Sequence, residues 1–405
     1  MTEEKLKALA CELASISVFR NILRTKPIAA LLQFLNFEGA ASQRMSFLGE
    51  FVYTLADNNY SFSDFLSHAV YEDENPYIIA AAQNKTLPDC IRKNTEAELA
   101  MFSRLTRLSA RELCSCLDYP GYIPEFDNTP IDFTKTYAER LKQISRFGYG
   151  IFATAGMFKL EGDQIVALEA ADQISLEQFV GYETERQMIL DNTQALVDGR
   201  PAANALLFGD AGTGKSSTVK ACANHFYDQG VRLIELRKDQ LFSLSHVMER
   251  IVNHPLKFII FIDDLSFNKN DDCFSMLKAA LEGSASAKAN NAVIYATSNR
   301  RHIVKERFSD RSEEDDIHHS DTVQELNSLS DRFGLCVYFS KPGKSLFLDI
   351  VHELALRNGL HIPTHELDIQ AEAFALARGS RSPRAAEQFI MRFMQANIGT
   401  EISQS

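Results

Sequence analysis

The residues with the most legible chemistry are Gly209-Asp210-Ala211-Gly212-Thr213-Gly214-Lys215-Ser216, followed by Ser217. They read G-x-x-x-x-G-K-S, the spacing of a loop that cradles the phosphates of a nucleoside triphosphate. Glycines let backbone N–H groups turn inward without a Cβ in the way. Lys215 can reach the β- and γ-phosphates, and the Ser216 hydroxyl can take a place on Mg²⁺. The flanks fit this reading. Ala203 to Phe208 is a short apolar run that reads as a buried strand, and Lys215 to Asp228 reads as a helix.

A phosphate loop needs a carboxylate at the end of a neighbouring strand. Phe258-Ile-Ile-Phe-Ile262-Asp263-Asp264 supplies two. Asp263 is expected to hold Mg²⁺, directly or through water, and Asp264 to polarise the water that attacks the γ-phosphate. The next strand, Val293-Ile-Tyr-Ala-Thr297-Ser298-Asn299, also ends in polar residues, and Asn299 is placed to orient that water. Arg332, just before the last strand, lies too far round the sheet to serve its own nucleotide and could project into a neighbour's site. Gly379-Ser380-Arg381-Ser382-Pro383-Arg384 opens the last helix, with Pro383 at a first-turn position. Arg384 is the preferred arginine to fold back onto the phosphates, with Arg381 as its competitor.

From residue 200 the sequence alternates strand and helix, the pattern of an α/β domain with a parallel sheet. Strands are expected at Ala203–Phe208, Arg232–Leu236, Phe258–Ile262, Ala292–Ala296 and Leu335–Phe339. Helices are expected at about 215–228, 241–252, 271–282 and within 300–330. An acidic insertion over residues 309–321 carries His318 and His319 and reads as a solvated loop rather than a metal site. After Pro342 three helical segments (343–358, 366–378, 383–396) form a small lid. Upstream, residues 1–148 are mainly helical, with Phe47, Phe51, Phe62, Phe65, Tyr77 and Phe102 as core. Residues 149–170 read as a β-hairpin connector with strands at 151–154 and 164–168. The expected organisation is therefore 1–148 helical, 149–170 hairpin, 171–341 nucleotide-binding core and 342–405 lid.

The 405 residues are enough for two or three domains, and the 45% hydrophobic and 24% charged fractions are those of an ordinary globular chain. A net charge of −12 argues against strong non-specific attraction to nucleic acid or anionic membrane. The seven cysteines are scattered, with Cys114 and Cys116 as the one close pair, so they read as free thiols of a reducing compartment. No apolar run reaches the roughly 20 residues that span a bilayer. A cytoplasmic protein is expected.

These pieces, in this order, resemble the AAA+ ATPases over roughly residues 170–398. Gly209–Ser216 looks like their Walker A motif, Asp263-Asp264 like Walker B, Asn299 like sensor 1, Arg332 like the arginine finger and Arg384 like sensor 2. Val180-Gly181-Tyr182 is similar to the segment that walls the adenine pocket. Gly181-Tyr-Glu-Thr-Glu-Arg-Gln, Phe267, Thr297-Ser-Asn-Arg-Arg-His302 and Ser328-Leu-Ser-Asp-Arg-Phe-Gly334 more narrowly resemble a bacterial AAA+ family known as a domain of unknown function. The resemblance implies an α/β P-loop core with a five-stranded parallel sheet and a C-terminal helical lid, preceded here by a mainly helical N-terminal domain. It also implies ATP and Mg²⁺ as ligands, an ATP-dependent homo-oligomer such as a ring, and hydrolysis at subunit interfaces that remodels or loads a macromolecule. Slow-hydrolysing switch behaviour is the alternative. The helical N-terminal region is the expected contact for a protein partner, and a nucleic-acid partner stays open. Two departures stand out. Walker B usually ends Asp-Glu, and Asp264 is one methylene shorter; the stretch after the second strand holds Phe242 without the glycine of a protein-threading pore loop.

Overall fold

The computed structural model describes residues 1–117, 119–168, 174–265, 277, 281, 290–299, 332–360 and 362–402, with side chains through residue 395. The expected helix within 300–330, the acidic segment 309–321 and Phe267 lie outside the described residues, as does the expected helix over 271–282 apart from Leu277 and Leu281. The chain divides into two compact units, Met1–Thr154 and Ala155–Ser405.

The first unit is helical: α1 (Glu3–Ala14), α2 (Lys26–Asn36), α3 (Ala41–Tyr53), α4 (Phe62–Tyr71), α5 (Pro76–Ala82), α6 (Asp89–Leu105), α7 (Ala110–Cys114), α8 (Phe133–Lys142) and α9 (Ile144–Phe147). Local signals set several starts. Ser61, Asn75 and Ser109 accept N–H bonds at the heads of α4, α5 and α7, and Pro76 sits in the first turn of α5. The core is aromatic: Phe19, Phe102 and Tyr137 meet edge to face at 5.4 and 5.6 Å around Phe19. Glu98 is buried among them because its carboxylate accepts the backbone N–H groups of Ser17 (2.7 Å), Val18 (3.1 Å) and Phe19 (3.0 Å). Paired in this way, a buried carboxylate fixes a turn instead of destabilising the core.

The second unit is built on a seven-stranded sheet rather than five. Its strands are β1 (Met157–Glu161), β2 (Gln164–Ala167), β3 (Ala205–Gly209), β4 (Val231–Leu236), β5 (Lys257–Ile262), β6 (Ala292–Ser298) and β7 (Leu335–Phe339), in the order β2-β1-β4-β5-β6-β3-β7. The five expected strands form a parallel block, and the expected hairpin extends it: β1 runs parallel to β4 with Met157 opposite Leu233. The hairpin's first strand also lies later than the sequence pattern places it. Glu161 pairs Gln164 across the two-residue turn Gly162-Asp163, with Gly162 at φ +61°, so the strand must be the residues immediately before that turn. Residues 150–153 instead form a 3₁₀ turn.

Strand β5 is buried from Phe258 to Ile262, the continuous apolar run of a central parallel strand. Each such side chain contributes on the order of 1.5–3 kcal/mol of burial free energy. Helices α10 (Glu183–Val197) and α11 (Lys215–His225) cover the sheet, and α12 (Leu244–Ile251) follows β4. Asn192 of α10 is tied to the start of β3 by two bonds with the Ala203 backbone, at 2.8 and 2.9 Å. Three helices complete the unit as a lid with its own core: α13 (Lys344–Arg357), α14 (Thr364–Arg378) and α15 (Pro383–Ile402). A P-loop α/β core followed by a helical lid is the arrangement the AAA+ resemblance implies. The six described cysteines are free thiols; Cys222 is fully buried, which pushes its pKa up to about 12. Among the described residues no helix is long and apolar enough to cross a membrane.

Candidate functional site

The G-x-x-x-x-G-K-S stretch, the expected phosphate loop, leaves the C-terminal end of β3 and enters α11 directly. Its backbone is glycine-dependent in a specific way. Gly209 has φ +136°, and a Cβ there would overlap the Phe339 carbonyl oxygen of the adjacent strand and stand 2.8 Å from its carbon. Gly212, at φ +76°, carries the loop under the lid, where a Cβ would meet Ser382 Oγ at 3.1 Å and Arg384 Cβ at 3.2 Å. The loop and lid are also bonded, Arg384 N–H donating to the Gly212 carbonyl (3.3 Å), and Lys341 N–H, between β7 and the lid, donates to the Asp210 carboxylate (3.1 Å).

Strand order brings the predicted polar residues together. Because β6 lies between β5 and β3, the residues that follow all three strands share one edge. Lys215 is buried, and its ammonium donates to the carbonyls of Gly209 (3.1 Å) and Asp210 (2.7 Å) and to Asn299 Oδ1 (3.3 Å). Burial lowers its pKa, while the carboxylates of Asp210, Asp263 and Asp264 oppose that shift. Asn299 Nδ2 donates to Asp264 Oδ1 at 2.9 Å. Asp263 Oδ1 accepts from the Ser216 hydroxyl (2.6 Å) and the Thr297 hydroxyl (2.5 Å). Lys215, Asn299 and Asp264 thus form one chain of contacts, and Ser216, Asp263 and Thr297 form another.

Asp264 itself has φ +50°, the left-handed region that a non-glycine residue enters at a cost of about 1–3 kcal/mol. The turn is held by its N–H, which donates to Thr297 Oγ1 at 2.9 Å. Without that turn the carboxylate would follow the strand direction instead of swinging toward Asn299. Thr297 is the part the sequence does not announce, since its role depends on β6 lying next to β5.

The donor set fits a hard cation and a polyphosphate. The Ser216 hydroxyl and Asp263 carboxylate converge within hydrogen-bond distance of each other, two oxygens of the kind Mg²⁺ takes, with its remaining ligands left to phosphate and water. Among the described residues no cluster of three or more His, Cys, Asp or Glu could hold a metal by itself.

Next to the loop is a cavity of about 140 Å³ that takes in Val180, Gly212, Thr213, Gly214, Ser217 and Arg384 from the predicted set. Gly181 does not line it. Gly181 turns the chain at φ +76°, and its carbonyl accepts from the Arg186 guanidinium. Tyr182, read from the sequence together with Val180 and Gly181, lines it as well, and Phe179, Arg186 and Glu387 are lining residues to which the sequence reading gives no task. Arg186 is buried with its guanidinium 5.5 Å from the Phe179 ring centroid, and Tyr182 donates its hydroxyl to the Ser340 carbonyl at 2.6 Å. The two lid arginines part company. Arg381 is committed to Glu372 through two bonds of 3.0 Å, whereas Arg384 faces the cavity. Arg332 is not brought to its own phosphate loop. Leu335 pairs Ala205 at the far end of β3 while Phe339 pairs Gly209, so Arg332 lies beyond the opposite end of the strand, at least about 13 Å away along the sheet.

Among solved structures, the chain is similar to the Thermotoga maritima RuvB Holliday junction branch migration motor. That likeness has 15% identity, a TM-score of 0.40, and covers 56% of this chain and 66% of that one, just under two thirds of its length. A structure described as the structural basis for katanin self-assembly is also similar, at 15% identity and a TM-score of 0.35, over 53% of this chain and 68% of that one. No curated protein matches the sequence. A family profile does match, over residues 153–397, which include the whole phosphate loop, the acidic pair and nearly all of the lid, and by that match the chain belongs to the family described as protein of unknown function (DUF815).

Proposed function

We propose that this protein binds ATP with Mg²⁺ and hydrolyses it at an interface between copies of itself, using the cycle to remodel or load a macromolecular partner. The observation that carries this reading is the convergence of Lys215, Ser216, Asp263, Asp264 and Asn299 at one edge of three neighbouring parallel strands. Lys215 would exchange its contacts with the loop carbonyls for phosphate oxygens. Ser216 and Asp263 would hold Mg²⁺, whose chemistry is charge neutralisation on the β- and γ-phosphates. Released from Lys215, the Asn299 amide would orient a water against the Asp264 carboxylate. The cavity walled by Phe179, Val180 and Arg384 would take the rest of the nucleotide.

The interface part of the reading is supported by the position of Arg332, which precedes the end of β7 that lies away from the phosphate loop. Arg332→Ala is expected to keep ATP binding and to lose about 10³-fold or more in turnover, the contribution of an arginine supplied in trans. Mixing this variant with Asp264→Asn copies should restore part of the phosphate release, since each copy supplies what the other lacks. Wild-type turnover by the single variant would remove the assignment.

For the lid, Arg384→Ala should weaken ATP binding on the order of tenfold, as loss of a charge-assisted bond does, while Arg381→Ala should leave it within about threefold. Titration calorimetry decides between them, and the reverse order would return the role to Arg381.

A second reading, a slow switch in which ATP closes the protein on its partner and hydrolysis resets it, is favoured by one feature. Asp264 is short, is held by Asn299 and occupies a strained turn. Steady-state turnover slower than nucleotide release would select it. In either reading the helical first unit is the proposed partner contact.

A further inference from the structure

One carboxylate in the cavity has no assigned task. Glu387 lies on α15, three residues after Arg384, and lines the cavity. Among the described residues it makes no hydrogen bond or ion pair; the one charge acting on it is Arg384. Partial burial raises the pKa of its carboxyl, with Arg384 pulling the other way. The residue is exposed, so water satisfies the carboxylate until a ligand enters the cavity and takes the water's place.

What it can bind follows from what it offers. An ionised carboxylate is acceptor-only. The phosphates of a nucleotide are acceptors too and would repel it, so it can meet only the sugar hydroxyls or an amine on the base. Position on the helix separates these. Arg384 is fixed at the phosphate loop by its N–H bond to the Gly212 carbonyl at 3.3 Å. Residues three apart share a helix face, and Glu387 is about 4.5 Å further along the axis. The part of a nucleotide joined directly to its phosphates, and so one helical turn from them, is the sugar. The base belongs beyond it, where Val180, Ile350 and Leu354 make an apolar wall. Arg186 does not compete for the hydroxyls, because its guanidinium is already stacked on Phe179 and bonded to Gly181.

We infer that Glu387 accepts hydrogen bonds from the ribose hydroxyls of the bound nucleotide and makes the site selective for ribonucleotides. The inference rests on the ATP reading above and adds its sugar specificity.

The test is the affinity of the full chain for ATP, 2′,3′-dideoxy-ATP and purine riboside triphosphate, which lacks the base amine. Wild type should hold ATP about tenfold tighter than the dideoxy analogue, the effect of a hydrogen bond to a charged group. Glu387→Ala should bind the two equally. Glu387→Gln, nearly isosteric and still an acceptor, should keep part of the preference and guards against a folding defect, with thermal melts run alongside. A dideoxy preference that survives Glu387→Ala overturns the inference. So does a variant that instead loses discrimination against purine riboside triphosphate, which would assign Glu387 to the base. Nucleotide binding with no sugar preference in wild type defeats this inference alone, whereas absence of any nucleotide binding defeats the ATP reading and takes this one with it.

Discussion

Asp264→Asn should lower ATP turnover by about 10²–10⁴-fold, the usual contribution of a positioned general base, while ATP affinity stays within about threefold of wild type. The substitution isolates the charge. Asparagine tolerates the left-handed region as aspartate does, so the turn at φ +50° survives, and an amide oxygen can still accept the Asn299 Nδ2–H. The capacity to draw a proton from the attacking water is lost. Phosphate release and nucleotide titration on the same preparation check both halves. Turnover within tenfold of wild type would show that Asp264 is not the residue that activates water and would move attention to Asn299 and to groups brought by a second copy.

Gly209→Ala should destabilise the second unit by more than about 4 kcal/mol, in the range reserved for backbone overlap and strain. The clash is with main chain. The added methyl would overlap the carbonyl of Phe339, the residue paired with Gly209 in the register of β3 and β7, and neither strand can shift without breaking that pairing. The φ of +136° adds strain that alanine cannot relieve. For a domain of this size the melting transition should fall by roughly 10 °C or more. Gly199→Ala is the control: Gly199 also has positive φ, at +70°, but a Cβ there meets nothing within 4 Å. It should cost only about 1 kcal/mol. Equal melting temperatures for the two variants would mean that the close approach of β7 to the loop is wrong.

What the sequence discloses and what it hides divide along the line between local and non-local physics. The apolar run Phe258–Ile262 with its two carboxylates, and the G-x-x-x-x-G-K-S loop between a strand and a helix, are legible because their chemistry and periodicity are contained in one stretch. The lid helices were readable from Pro342, Gly379 and Pro383 for the same reason. The place of the 157–167 hairpin in the sheet was not, since pairing with β4 is decided more than sixty residues later. Thr297 reads as one more strand residue until β6 is set beside β5. Glu387 is a solvent-facing acid on a helix, and only the packing of that helix beside the loop sets it at the cavity's edge. Nor does the sequence show that Arg381 is held by Glu372, a residue on another lid helix, which is what favours Arg384 in the proposed role.

In the proposed ATP site, the bond that joins the phosphate loop to the lid, Arg384 N–H to the Gly212 carbonyl, would tie nucleotide affinity to the lid's angle. Any molecule that grips the lid and prefers one angle must change the affinity for nucleotide by some factor, and nucleotide must change the grip by the same factor. A partner could therefore be sought through the nucleotide site, as whatever alters the dissociation constant for ATP when it is added.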